Sequence, residues 1–262
     1  MIPVKTNEEI KIMREAGRIL AKIVDRLIKE VRPGISTFDL EILARQLMNP
    51  PAGGEVESAF MGYLPDTSSG SNQIGYPAVL CASVNDEIVH AVPSKTKILR
   101  SGDIIGLDCG IKYKGFYSDM SKTIGVGKIS PEAKKLIKVT EGALMRGIKK
   151  IKAGIHLGDI SEEIQNYAEK NGFSVVRDLT GHGVGKKLHE PPIIFNYGAK
   201  GTGPVLEAGM TLAIEPMVNA GCFDVKELAN QWTIVTADGS LSAHFEHTVL
   251  VTKRGSEILT KK

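Results

Sequence analysis

One short phrase occurs twice in this chain and closes both times on a carboxylate. Leu99-Arg-Ser-Gly102-Asp-Ile-Ile105-Gly-Leu107-Asp108 is echoed by Leu206-Glu-Ala-Gly209-Met-Thr-Leu212-Ala-Ile214-Glu215. A glycine turn followed by alternating aliphatics reads as a buried strand. An acid at the end of such a strand is costly to bury unless it is paired or binds a cation. Two strands of the same pattern point to a duplicated unit that brings acids together from both halves. The repeat extends further: Ile28-Lys-Glu-Val-Arg-Pro-Gly34-Ile35 matches Ile148-Lys-Lys-Ile-Lys-Ala-Gly154-Ile155, and His90-Ala-Val-Pro93 has a partner in His189-Glu-Pro-Pro192. The offset is too long for a solenoid, whose repeats run to about 50 residues. It fits pseudo-symmetric halves, about 1–127 and 128–262, forming one domain around a pseudo-twofold axis.

Element signals support this. Thr6-x-x-Glu9 is a capping box, and the helical period behind it runs to Pro33-Gly34. Ser36 or Thr37 caps a second helix through Met48. Ser130-Pro131 opens a third that runs to about Ile151, and a fourth covers roughly Gly158–Asn171. Strand patterns occupy Ala78–Val84, Glu87–Ala91, Ile104–Ile111, Phe116–Val126, Phe173–Arg177, Met210–Val218, Trp232–Thr236 and His244–Thr252. Pro50–Gly54 and Leu64–Gly75 read as loops. Helices and strands are grouped and do not strictly alternate, which predicts an α+β fold with a mostly antiparallel sheet flanked by helices.

Bulk properties exclude several functions. A net charge of +3 is too weak to argue for nucleic acid. No apolar run reaches membrane-spanning length, and the polar N-terminus lacks a signal sequence. Cys81, Cys109 and Cys222 have no Cys-x-x-Cys spacing, which fits a reduced, cytoplasmic compartment.

The chemistry concentrates on acids in apolar strands. Asp108 and Asp119 flank Tyr113-Lys114-Gly115, a hairpin turn, and are expected to face each other across an antiparallel pair. Facing carboxylates repel, so the pair needs a proton or a cation. Glu215 and Glu246 repeat the situation in the second half. Four buried acids balance two divalent cations, and with one imidazole such a site suits Mn, Fe or Co and tolerates Zn. His182, in Thr180-Gly-His-Gly-Val-Gly185, is the best imidazole candidate. His244-x-Glu246 superficially resembles a zinc-deaminase motif, but no Pro-Cys-x-x-Cys follows. Phosphate-loop, His-Glu-x-x-His and Gly-x-Ser-x-Gly motifs are absent.

In their order and contexts, Asp108, Asp119, His182, Glu215 and Glu246 resemble the five metal ligands of the methionine aminopeptidases. Ser83-Val-Asn-Asp-Glu-Ile-Val-His90, Gly181-His-Gly-Val-Gly185, Ile214-Glu-Pro-Met-Val-Asn219 and Leu241-Ser-Ala-His-Phe-Glu-His247 carry the likeness over essentially the whole chain. Only 25 residues separate His189 from Glu215, leaving no room for the type II helical insertion, so the chain resembles the short bacterial type I enzymes. The resemblance implies the pita-bread fold and removal of the initiator methionine from nascent proteins and peptides with a small second residue. It implies attack by a hydroxide bridging the two metals, with Glu215 shuttling a proton, His90 donating near the scissile amide and His189 contacting the substrate carbonyl. It implies a methionine pocket walled by Phe60, Tyr63, Tyr76, Cys81, Leu188 and Trp232, with Phe60 where Cys is common and Leu188 where Phe is common. It also implies a monovalent-cation site near Asn85, Glu87 and Ser242, peptide or nascent-chain N-termini as partners, transient association with the ribosome and a monomeric state. The rival readings are an Xaa-Pro aminopeptidase or prolidase and a non-catalytic binding module of the same fold.

Overall fold

The computed structural model describes residues 1–49, 56–64 and 74–262. The Pro50–Gly54 loop and most of the Leu64–Gly75 loop lie outside the described residues. Among the described residues, four helices form: α1 (Asn7–Glu30), α2 (Thr37–Met48), α3 (Pro131–Lys150) and α4 (Leu157–Lys170). Each starts within a residue or two of its expected signal. The Thr6 hydroxyl accepts from the Glu9 amide while the Glu9 carboxylate accepts from the Thr6 amide. Ser36 and Asp39 do the same for α2.

Every named strand pairing is antiparallel. The long Ile104–Tyr113 strand pairs on one edge with Val56–Ser58 and Cys81–Val84 and on the other with Phe116–Gly125. A five-stranded sheet orders Ser256–Ile258, His247–Val251, Thr211–Ile214, Thr180–Gly183 and Glu190–Phe195. Helices α1 and α2 bury Leu20, Val24, Leu27, Leu40 and Ala44 against Leu107, Cys109 and Ile111 of the first sheet. Helices α3 and α4 bury Leu136, Ala143, Ile160 and Ile164 against Leu212, Ile214 and Val249 of the other.

The duplicated phrases fold alike. Gly34 donates its N–H to the Leu99 carbonyl at 2.8 Å, and Gly154 donates to the Leu206 carbonyl at 2.8 Å. Leu99 and Leu206 return the bond to Ile35 and Ile155. The four glycines have φ of +92° (Gly34), +90° (Gly154), +110° (Gly102) and +96° (Gly209), a left-handed region that favours glycine. The repeated letters are therefore a repeated crossing of two backbone segments.

Two expectations are corrected. Asp108 and Asp119 do not oppose each other. Lys114 (φ 49°) and Gly115 (φ 82°) form a two-residue turn that pairs Tyr113 with Phe116, so Asp108 opposes Ser121 and Asp119 opposes Gly110. The acids lie diagonally on one face, since positions two apart share a face. The expected strands Met210–Val218 and His244–Thr252 each break. Thr211–Ile214 ends before Glu215-Pro216 and Met217–Asn219 resumes in another sheet. Ser242–His244 and His247–Val251 likewise flank Glu246. Both second-half acids thus sit at corners where the chain changes sheets.

Candidate metal centre and active site

The corners and the hairpin meet along a seam. The Phe116–Gly125 strand runs beside residues 244–248 with a split ladder. Thr248 Oγ1 accepts the Asp119 N–H and donates to the Asp119 carbonyl, at 2.9 Å each. Thr123 Oγ1 does the same for His244, at 2.9 and 2.8 Å. Between them the Glu246 N–H donates to the Ser121 carbonyl at 2.9 Å. This register sets Asp119 beside Glu246 at the junction.

His182 reaches the same point from the five-stranded sheet. One ligand atom each of Asp119, His182 and Glu246 lies within 4.8 Å of the others. The flanking glycines have a steric reason. A Cβ on Gly181 would lie 2.5 Å from the Ala213 carbonyl oxygen, and one on Gly183 would lie 2.1 Å from that of Pro191. Glu215 sits between two imidazoles, its Oε1 3.4 Å from His182 Nε2 and its Oε2 3.4 Å from His244 Nε2. Asp108 lines the same cavity.

The donor set fits divalent cations. Among the described residues, Asp108 Oδ1, Glu246 Oε1 and His244 Nε2 are buried and make no hydrogen bond, which in a folded interior calls for an explanation such as an ion. Burial, and then the charge on neighbouring acids, holds Asp108, Glu215 and Glu246 well above the usual carboxylate range. Burial raises Asp119 to about 7. Burial also lowers His182 to about 3, which keeps its imidazole neutral and able to ligate. Four acids and a neutral imidazole can hold two divalent charges.

Beside the acids lies a cavity of about 270 Å³. Phe60, Tyr63, Tyr76, Cys81, Leu188 and Trp232 all line it, together with His90, His182 and His189. Tyr76 packs edge-on to Trp232, with ring centroids 5.1 Å apart, and its hydroxyl donates to the Leu80 and Ala91 carbonyls. Cys81 is paired in register with Asp108, joining pocket wall to acid cluster. Gly110 makes room for Phe60: a Cβ there would lie 2.6 Å from the Phe60 ring. His189 stacks edge-on to His182 at 4.2 Å and its Nδ1 bonds the Tyr63 hydroxyl. His90 has φ 57°, uncommon outside glycine, and faces Trp232 at 6.4 Å. Strain of this kind is often held at functional positions.

Away from the cavity, the Asn85 carbonyl accepts the Ser242 N–H at 2.8 Å, while the Glu87 carboxylate is taken up by Lys97 and the Val84 N–H. Cys81, Cys109 and Cys222 are all free thiols. Among the described residues, no helix is long and apolar enough to cross a membrane.

Sequence reasoning missed His244 and Thr248. His244 is considered there only as part of a rejected motif, although its place two residues before Glu246 in an apolar stretch is a usable signal. Thr248 carries no signal, because its role depends on a partner 129 positions away. Leu179, Glu227, Gln231 and Ile234 also line the cavity without any sequence cue.

A buried cluster of acids and imidazole, open to an apolar cavity at the junction of repeated units, defines a metal-dependent hydrolase. Residues 11–253 match the model of metallopeptidase family M24. The chain is 48% identical over 260 residues to the methionine aminopeptidase of Clostridium perfringens, covering 99% of each. It is 47% identical over 261 residues to methionine aminopeptidase 1 of Bacillus subtilis, covering 100% of each. Its fold superposes on the crystal structure of methionine aminopeptidase from Thermotoga maritima with a TM-score of 0.93, at 46% identity over 100% of both chains. An Xaa-Pro dipeptidase from Bacillus anthracis shares the fold at TM-score 0.76 and 26% identity, with 62% of that chain covered. The chain therefore belongs to metallopeptidase family M24, and within it to the methionine aminopeptidases. Its fold is the pita-bread fold.

Proposed function

We propose that this enzyme removes the initiator methionine from nascent proteins and peptides whose second residue is small. The observation that carries the reading is the apolar cavity opening directly onto the buried acids. Burying a methionine side chain there is worth roughly 1.5–3 kcal/mol. The crowding of His90, His189 and Trp232 around the cavity supports the preference for a small second residue.

Asp108, Asp119, His182, Glu215 and Glu246 would hold two divalent ions, Co, Mn, Fe or Zn. When bound, they supply Lewis acidity, which lowers the pKa of water and offsets charge on the tetrahedral intermediate. The substrate's free α-amine lies beside Asp108, which restricts the reaction to N-termini. Glu215 takes a proton from the attacking water on a carboxylate oxygen and returns it to the nitrogen that leaves as the C–N bond breaks. His90 hydrogen-bonds the scissile amide, and His189 presents a ring N–H to the substrate carbonyl, where charge develops. Asn85, Glu87 and Ser242 form a monovalent-cation site through backbone oxygens. The enzyme acts in the cytoplasm as a monomer, visiting the ribosome transiently, without specific nucleic-acid or membrane binding. One catalytic domain spans 1–262, its halves meeting near residue 127.

The test is hydrolysis of Met-Ala-Ser with metal added. Turnover should vanish in the Asp119→Ala, Glu246→Ala double variant, and wild-type turnover there would sink the two-metal reading. Cleavage of Gly-Pro peptides without cleavage of Met-Ala-Ser would favour the prolidase alternative. Absence of both stoichiometric metal and peptidase activity would favour a binding module.

A further inference from the structure

Lys5 and Glu190 form an ion pair 185 positions apart in sequence, Nζ to Oε2 2.6 Å, with side chains only 4% and 7% exposed. The other carboxylate oxygen, Oε1, accepts the backbone N–H of Lys187 at 3.1 Å. One carboxylate therefore closes a short clamp from residue 190 back to residue 187. The two residues it spans are Leu188 and His189, which line the cavity and its mouth. The cation end is fixed as well, because the Lys5 N–H donates to the Gly209 carbonyl at 2.9 Å. The lysine stem also has a reserved path: a Cβ on Gly185 would lie 2.5 Å from Lys5 Cε and 2.8 Å from Glu190 Oε1.

We propose that Lys5 and Glu190 are positioning residues for the hydrolysis, locking the 187–190 turn so that His189 holds its place at the substrate. A buried ion pair is weak evidence of stabilisation, since apolar replacements of similar size often serve as well. This pair instead sets the geometry of one turn. It deepens the reading of His189 as a substrate contact and rests on that reading. Misplacing such a group by about 1 Å costs up to about 100-fold in rate.

The test compares full-length, metal-loaded Lys5→Met, His189→Ala and the combined variant on Met-Ala-Ser. Lys5→Met should lose about 10- to 100-fold in kcat/KM, mostly in kcat. In the His189→Ala background the same substitution should cost less than about twofold, because the group it positions is gone. A merely structural role would give the same loss in both backgrounds. Lys5→Arg should recover most of the activity. If Lys5→Met does not fold, the apolar pair Lys5→Met with Glu190→Leu should fold and still show the loss. Wild-type turnover in either Lys5→Met variant, or equal losses with and without His189, would overturn the proposal. Undiminished turnover in His189→Ala would overturn the role of His189 itself and the proposal with it. A crippled His189→Ala beside an intact Lys5→Met would overturn the pair alone.

Discussion

The Thr248 hydroxyl is a two-way bridge to the backbone of Asp119, accepting its N–H and donating to its carbonyl at 2.9 Å each. Both residues are buried, so the side chain stands in for a missing pair of ladder bonds. Replacing it with the near-isosteric valine leaves two buried backbone groups unpaired, at about 1–3 kcal/mol each. Thr248→Val should lower unfolding free energy by about 2–6 kcal/mol in urea denaturation of the metal-stripped protein. It should also weaken Mn(II) or Co(II) binding by about 10- to 100-fold in calorimetry, as loss of outer support to a ligand typically does. Thr248→Ser should recover most of both.

Gly110 and Phe60 should behave as a coupled pair. An alanine methyl at 110 would meet the Phe60 ring at 2.6 Å and the Ala59 methyl at 2.9 Å. Overpacking of this kind costs about 1–3 kcal/mol, here felt as Phe60 pushed into the cavity it lines. Gly110→Ala should raise KM for methionyl peptides about tenfold with a smaller change in kcat. Adding Phe60→Leu should bring KM back, as steady-state kinetics would show.

A helix glycine supplies a separate stability test. Gly17 of α1 packs on the backbone of Leu259, where an added Cβ would lie 2.3 Å from the carbonyl oxygen. Alanine at a helix interior normally gains about 1 kcal/mol over glycine. Here Gly17→Ala should instead destabilise by about 1–3 kcal/mol in urea, because neither backbone can retreat without repacking.

The pH dependence of stability should differ between metal-stripped and loaded protein. Burial lowers His182 and His244 to about 3 and His90 and His247 to about 4. Between those values and about 6.5, the unfolded chain binds more protons at these histidines, so stability rises with pH. The acids act in the opposite sense. Asp108, Glu215 and Glu246 are raised well above the usual range and Asp119 reaches about 7. The folded state then holds more protons, and stability is lost as pH rises through the folded values. The two sets oppose each other below about pH 6.5, and only the acids act above it. The stability of the metal-stripped protein should therefore peak near pH 6–6.5, and its unfolding free energy should fall above that by about 1.4 kcal/mol per pH unit for each proton difference, read as a falling Tm. Saturating Mn(II) should abolish the fall, since ligation keeps the carboxylates deprotonated, and calorimetry in buffers of different ionisation enthalpy should register proton release. A Tm that climbs steadily from pH 6 to 8 without metal would contradict this.

Much of the architecture is legible in local signals because local chemistry decides it. The Thr6–Glu9 and Ser36–Asp39 caps and the Ser130-Pro131 start are satisfied by neighbours in sequence, and the positive φ at Gly34, Gly102, Gly154 and Gly209 needs only the residue's own missing side chain. The acids are legible because an ionisable group in an aliphatic strand demands a partner. The register of Asp108 and Asp119 is misread because facing acids would need the turn at Tyr113-Lys114, and the turn sits one residue later, at Lys114-Gly115, which moves every partner by two. The breaks at Glu215 and Glu246 are hidden by the aliphatics on either side, which continue the alternation while the chain changes sheets. Thr248, His244 and the Lys5–Glu190 pair act across 121 or more positions, where one sequence carries no pairing information.

The stitched seam also fixes how the enzyme can move. Many enzymes capture substrate by hinge closure, two lobes rocking about a few flexible residues. Here the line along which such lobes would part runs through Asp119, Ser121 and Thr123 on one side and Thr248, Glu246 and His244 on the other. Opening it would tear Asp119 from Glu246 and dismantle the candidate metal centre. Clamshell breathing about this line would have to break five hydrogen bonds together.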